Sequence, residues 1–92
     1  MQKQAHVFFT GDVQGVGFRY TVQHLARGYR VFGYVKNLSD GRVELLAQGD
    51  EMEIKDLIQA VRDSRMNEHI QNVEIKWSEK CLKAYAAFDI AY

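Results

Sequence analysis

The stretch Gly11-Asp12-Val13-Gln14-Gly15-Val16-Gly17-Phe18-Arg19 contains the residue types from which an anion site is built. Its three glycines, Gly11, Gly15 and Gly17, allow a tight turn with positive φ. Successive N–H groups in such a turn can converge on one concavity, and a helix N-terminus beside it adds partial positive charge. Such a loop is equipped to hold a phosphate-like anion, and Arg19 adds to it. The guanidinium of Arg19 is a planar fork of donors suited to phosphate. A helix start disfavours a cation, so an arginine there without an acidic neighbour reads either as a solvated side chain or as one awaiting an external anion. Taken alone, the glycine run also fits a generic turn. It is neither a Walker A loop, lacking Gly-Lys-Ser/Thr, nor a Gly-x-Gly-x-x-Gly fingerprint.

The elements that must position this loop follow from the hydrophobic pattern. Residues 6–11 are rich in strand formers and end in glycine, predicting a first strand. Val22, Leu25, Ala26 and Tyr29 form one helical stripe, with Gly28 as a candidate C-terminal stop. Residues 31–37 and 42–48 read as strands joined by an Asp40-Gly41 turn. Asp50 and Glu53 resemble a capping box ahead of a second helix, whose stripe is Ile54, Leu57, Ile58 and Val61. Residues 64–69 form a polar connection. Ile70, Val73, Ile75 and Trp77 mark a fourth strand, and Ala86, Phe88, Ile90 and Tyr92 a short last one. The order β-α-β-β-α-β with an extra C-terminal strand predicts an α+β, ferredoxin-like sandwich with both helices on one face of the sheet. In that topology strands one and two are parallel, joined by a right-handed crossover, with strand three antiparallel between them.

That topology gives Asn37 a second meaning. By itself it reads as a turn residue bonding its own backbone. At the end of strand two it also neighbours the glycine loop, where its amide could hold a water for attack on a bound group. The remaining polar residues carry less. His6, His24 and His69 lack metal-ligand spacing, Asp12 and Asp40 are not paired, and Cys81 has no triad-like context. Phe8, Phe9, Phe32, Tyr34 and Trp77 suggest either core or a stacking platform for RNA. The core reading is preferred, because a two-helix layer needs an apolar sheet face.

Composition sets the outer limits. The 92 residues fit one domain, with 47% apolar and 26% charged residues. Lys+Arg and Asp+Glu balance at 12 each, so no global field draws in nucleic acid or anionic lipid, and any anion site is local. The single cysteine excludes an internal disulfide and a Cys-based zinc site. No segment reads as a signal or a membrane span. A single, cytoplasmic, unanchored, monomeric domain spanning residues 1–92 is expected.

Taken together, two segments closely resemble the signatures of the acylphosphatase family. The first runs from Phe9 to Arg19 and contains Val13-Gln14-Gly15-Val16-Gly17-Phe18-Arg19. The second runs from Gly33 to Gly49 and contains Gly33-Tyr34-Val35-Lys36-Asn37, followed by Gly41, Val43 and Gly49. The resemblance implies hydrolysis of the carboxyl–phosphate bond of small acyl phosphates, without metal or organic cofactor. It implies that the Gln14–Arg19 loop cradles phosphate, that Arg19 grips it and that Asn37 orients the water. Phe9 stands where the pattern usually has a smaller aliphatic residue, and the proline-free 64–69 connection also departs from many members. Chemically, an acyl phosphate is already activated, since its carboxylate leaving group is a weak base. Positioning and electrostatic stabilisation can then do most of the work. The competing readings are a non-catalytic anion-binding module, as the domain serves in hydrogenase-maturation carbamoyl transferases, and a sheet-face RNA binder. The former is disfavoured by a chain that begins with Met1 and ends with the fold, the latter by neutral charge.

Overall fold

The computed structural model describes residues 2–81 and 83–92. The chain runs β1 (Gln2–Gly11), α1 (Phe18–Ala26), β2 (Val31–Asn37), β3 (Val43–Asp50), α2 (Glu51–Asp63), a 3-10 turn (Arg65–His69), β4 (Ile70–Ser78) and β5 (Phe88–Ala91). The sheet order is β4-β1-β3-β2-β5. β3 is antiparallel to both β1 and β2, β4 is antiparallel to β1, and β5 is parallel to β2. The expected ferredoxin-like topology is present, extended by β5 along the outer side of β2. It brings the ends of β1 and β2, Gly11 and Asn37, to one end of the sheet.

Alternation sorts the strand residues between two faces. Ala5, Val7 and Phe9 of β1, Val31 and Val35 of β2, and Val43, Leu45 and Ala47 of β3 are buried in one core cluster. Phe18, Val22 and Ala26 of α1 and Ile54, Leu57, Ile58 and Val61 of α2 complete it. β3 is the central strand and is covered on both sides: Leu46 and Gln48, on the face away from the helices, are also buried. Gln48 meets Lys83 and Tyr85 of the segment that carries the chain from β4 to β5, at opposite edges of the sheet. Gln48 fastens it, with Nε2 donating to the Lys83 carbonyl at 2.5 Å and Oε1 accepting from the Tyr85 N–H at 3.2 Å. Nε2 also donates to Gln4 Oε1 at 3.0 Å. A buried amide is thus supplied with partners on both ends.

Several boundaries differ from those expected. β1 begins at Gln2, not at residue 6, because Gln2 to Gln4 pair with Asp50 to Gln48 despite their polar side chains. α1 ends at Ala26, so Tyr29 lies beyond it, and Phe18 opens the buried stripe instead. Gly28 does not stop the helix through a left-handed conformation. The last turn tightens, with Arg27, Gly28 and Tyr29 N–H groups bonding the carbonyls three residues back. Asp50 is the N-cap of α2 but makes no side-chain cap bond, and the capping box does not close. The Glu53 carboxylate accepts instead from the Arg30 N–H at 2.8 Å. Within the 64–69 connection Arg65–His69 form a 3-10 turn that buries Met66, capped by Ser64, whose Oγ accepts from the Met66 N–H at 3.1 Å.

The aromatic side chains also divide. Phe9 is core, stacked at 5.0 Å on Phe18. Phe8, Phe32 and Tyr34 lie on the face away from the helices, and Trp77 stands half-exposed at the β4 edge. The core reading holds for Phe9 only. Phe8 packs under the guanidinium of Arg42 at 4.6 Å and beside His6 at 4.6 Å. The Glu44 carboxylate joins His6 Nε2 at 2.6 Å and the Tyr34 hydroxyl at 2.9 Å. Burial, and then this bond, push the Tyr34 phenol well above its ordinary range.

Candidate active site

Between Gly11 and Phe18 the chain has no room for regular structure and turns on glycine. Gly15 and Gly17 adopt φ of 79° and 81°, in the left-handed region that side chains disfavour. Gly17 is the N-cap of α1 and, having no side chain, cannot satisfy the helix's first N–H groups itself. The first intrahelical bond runs from the Thr21 N–H to the Gly17 carbonyl at 3.0 Å. The N–H groups of Phe18, Arg19 and Tyr20 therefore have no acceptor inside the helix. Val13 anchors the loop in the core, fully buried. From the other side, Gln14 Nε2 donates to the carbonyls of Leu38 at 2.7 Å and Arg42 at 3.0 Å, tying the loop to the β2–β3 hairpin.

The result is a recess of about 200 Å³ lined by Val13, Gly15, Gly17, Phe18, Arg19, Tyr20 and Asn37. Gly15, Gly17, Phe18, Arg19 and Asn37 are thus brought together as expected. Gln14 and Val16 are not part of the lining; Gln14 acts as the brace just described, and Val16 packs against the core cluster. The first turn of α1 has no acidic residue, and among the described residues Arg19 has no carboxylate in ion-pair distance. Its guanidinium instead lies 5.0 Å from the centre of the exposed Tyr92 ring. Arg19 is thus a cation at a positive helix terminus with no carboxylate paired to it among the described residues.

Asn37 closes the opposite wall. It is not the turn residue of the hairpin. That role belongs to Asp40, whose carboxylate accepts from the Arg42 N–H at 3.1 Å and from its Nε at 2.9 Å. The Arg42 backbone and side chain hold the Asp40 carboxyl below the usual range. The Oδ1 of Asn37 is buried and has no hydrogen-bond partner among the described residues. An unsatisfied buried acceptor is costly and calls for a donor from outside the chain. Val13, Tyr20 and Tyr92 were not foreseen as neighbours of the site. The signal for Tyr20 was its position directly after Arg19; for Tyr92 it was the final step of the β5 alternation. Among the described residues no three His, Cys, Asp or Glu side chains cluster as a metal site.

A family model under the description Acylphosphatase matches residues 5–90. The chain belongs to the acylphosphatase family. It is 46% identical over 89 residues to an acylphosphatase of Bacillus velezensis, covering 97% of this chain and 98% of the relative. The crystal structure of acylphosphatase from Bacillus subtilis superposes with a TM-score of 0.88 at 37% identity, covering 98% of this chain and 99% of that one. Full-length HypF, crystallised in a phosphate- and nucleotide-bound form, has a similar region: TM-score 0.88 and 28% identity, over the whole of this chain but 12% of HypF.

Proposed function

We propose that the protein hydrolyses acyl phosphates to carboxylate and inorganic phosphate in the recess between the glycine loop and Asn37. The observation that carries this reading is the buried, unpartnered Oδ1 of Asn37 facing an arginine that has no anion. Arg19 and the N–H groups of Gly15, Gly17, Phe18 and Arg19, which line the recess, hold the phosphoryl oxygens. A water donates one hydrogen bond to Asn37 Oδ1, which turns a lone pair of the water toward phosphorus. The water oxygen bonds to phosphorus as the bond from phosphorus to the acyl oxygen breaks. The carboxylate leaves with that electron pair, and the water's proton passes to the phosphate oxygens or solvent. A carboxylate needs no protonation to leave, so no general acid is required. Charge gathering on the phosphoryl oxygens is met by donors already in place, which is where such a site gains most of its rate. The lone exposed cysteine, Cys81, fits a reducing cytoplasmic setting.

The test is hydrolysis of benzoyl phosphate in excess EDTA, wild type beside Arg19→Ala. The expected result is metal-independent turnover, with kcat/KM reduced by about 10²–10³ in the variant. A folded wild type that binds phosphate without turnover would leave an anion-binding module in place of an enzyme.

A further inference from the structure

A phosphoryl group held by the loop leaves the acyl group of the substrate to be placed, and in-line displacement sets the breaking bond opposite the forming one. With the water on Asn37, the acyl oxygen departs on the far side of phosphorus, toward the glycine loop and the start of α1. Few side chains there can touch an acyl substituent. Gly15 and Gly17 have none, Val13 and Phe18 belong to the core, and Arg19 is engaged by the phosphoryl oxygens. The remaining lining residue on that side is Tyr20.

Tyr20 lies in the first turn of α1, off the buried stripe of Phe18, Val22 and Ala26, and is 65% exposed. Among the described residues its ring meets no other ring or cation and its hydroxyl has no hydrogen-bond partner. Of the exposed aromatic side chains the two least covered, Tyr20 and Tyr92, both stand at this recess. Tyr92 is laid against the Arg19 guanidinium, whereas the face of Tyr20 is open. Bare aromatic surface beside a few converging polar groups is the usual make-up of a ligand site. The recess, at about 200 Å³, is also too small to enclose a bulky acyl phosphate, so a large acyl group must lie outside it. We propose that Tyr20 is the platform for the acyl group and favours aryl acyl phosphates over acetyl phosphate, an inference that rests on the hydrolysis proposed above. A flat aryl ring gains from packing on tyrosine what a methyl group cannot. The contact is made equally in the ground and transition states, so it acts on KM and not on kcat.

Steady-state hydrolysis of benzoyl phosphate and of acetyl phosphate by the wild type, Tyr20→Ala and Tyr20→Phe tests this. Dividing one kcat/KM by the other, and comparing proteins, cancels the different leaving abilities of benzoate and acetate. Tyr20→Ala should lower the benzoyl-to-acetyl ratio about three- to tenfold, through a higher KM for benzoyl phosphate. Its kcat and the inhibition constant of inorganic phosphate should stay within about twofold of the wild type. Tyr20→Phe keeps the ring and should match the wild type. Circular dichroism checks that each variant is folded. A folded Tyr20→Ala that hydrolyses both substrates with an unchanged ratio overturns the acyl platform and leaves the hydrolysis standing. So does an equal loss on both substrates. A wild type that turns over neither substrate overturns the hydrolysis itself, and the platform with it.

Discussion

At the level of single residues, Arg19 and Asn37 divide the work in a way that kinetics can separate. In the proposed mechanism Arg19 touches the phosphoryl group throughout, so its removal should weaken both phosphate inhibition and turnover. Arg19→Lys should recover little, since an ammonium cannot reproduce the planar fork. In the same proposal Asn37 offers its Oδ1 to a water rather than to phosphate. Asn37→Ala should therefore lower kcat by about 10² while the inhibition constant of inorganic phosphate stays within about twofold. An unchanged kcat would remove the water-holding role. Both residues were legible in the sequence, because their value lies in type and in distance from the strand ends. Tyr20 and Tyr92 were not. That Tyr20 lines the recess depends on how the first turn of α1 is rotated, and that Tyr92 meets Arg19 depends on the parallel register of β5; neither is written in local spacing.

At the level of elements, the loop is rigid for two separate reasons, each with its own prediction. Gly17 sits at φ 81° with open space where a Cβ would go, so Gly17→Ala meets no clash and its cost is conformational. A loss of about 1–2 kcal/mol is expected by urea denaturation, the usual cost of a left-handed L-residue. Gln14 is a brace, and Gln14→Ala should cut kcat/KM by about tenfold through misplaced N–H groups while changing the melting temperature little. A fall in stability with unaltered kinetics would make Gln14 merely structural. By contrast, a Cβ on Gly33 of β2 would run into the Leu46 carbonyl, so Gly33→Ala strikes the sheet itself. The sequence revealed both helical stripes and the hairpin, yet missed the polar start of β1. Gln2, Lys3 and Gln4 are strand residues because the far end of β3 pairs with them. The capping box failed for a related reason: Glu53 found a backbone donor from another segment.

Across the whole molecule, the sheet and the helix layer are joined at the end remote from the recess by a charged cluster. Glu51, in the first turn of α2, is paired with Lys3 of β1 and, at 2.8 Å, with Lys55 one turn along. The hydrogen bonds from Lys3 and Lys55 lower its carboxyl to about 2. Its folded pKa lies below the unfolded one, so its contribution is fully present above the unfolded value near 4.5 and is lost as pH falls toward 2. Thermal melts between those limits should show a smaller acid-induced drop in Glu51→Gln than in the wild type. An equal drop in both would assign the acid sensitivity elsewhere. Exposure keeps the effect small, and salt should weaken it.

The sheet order has a consequence for biosynthesis. β1 leaves the ribosome first, but its two neighbours are β3 and β4, and the β2 edge is closed only by β5. A nascent chain that has reached the end of α1 carries the glycine loop without the β2–β3 hairpin that braces it. Even one extended through α2 leaves an edge of β1 bare, until Ser78 has emerged. The recess thus takes shape late in translation. Ribosome-bound chains halted after Asp63 should be digested by protease as readily as unfolded ones, whereas released full-length protein resists.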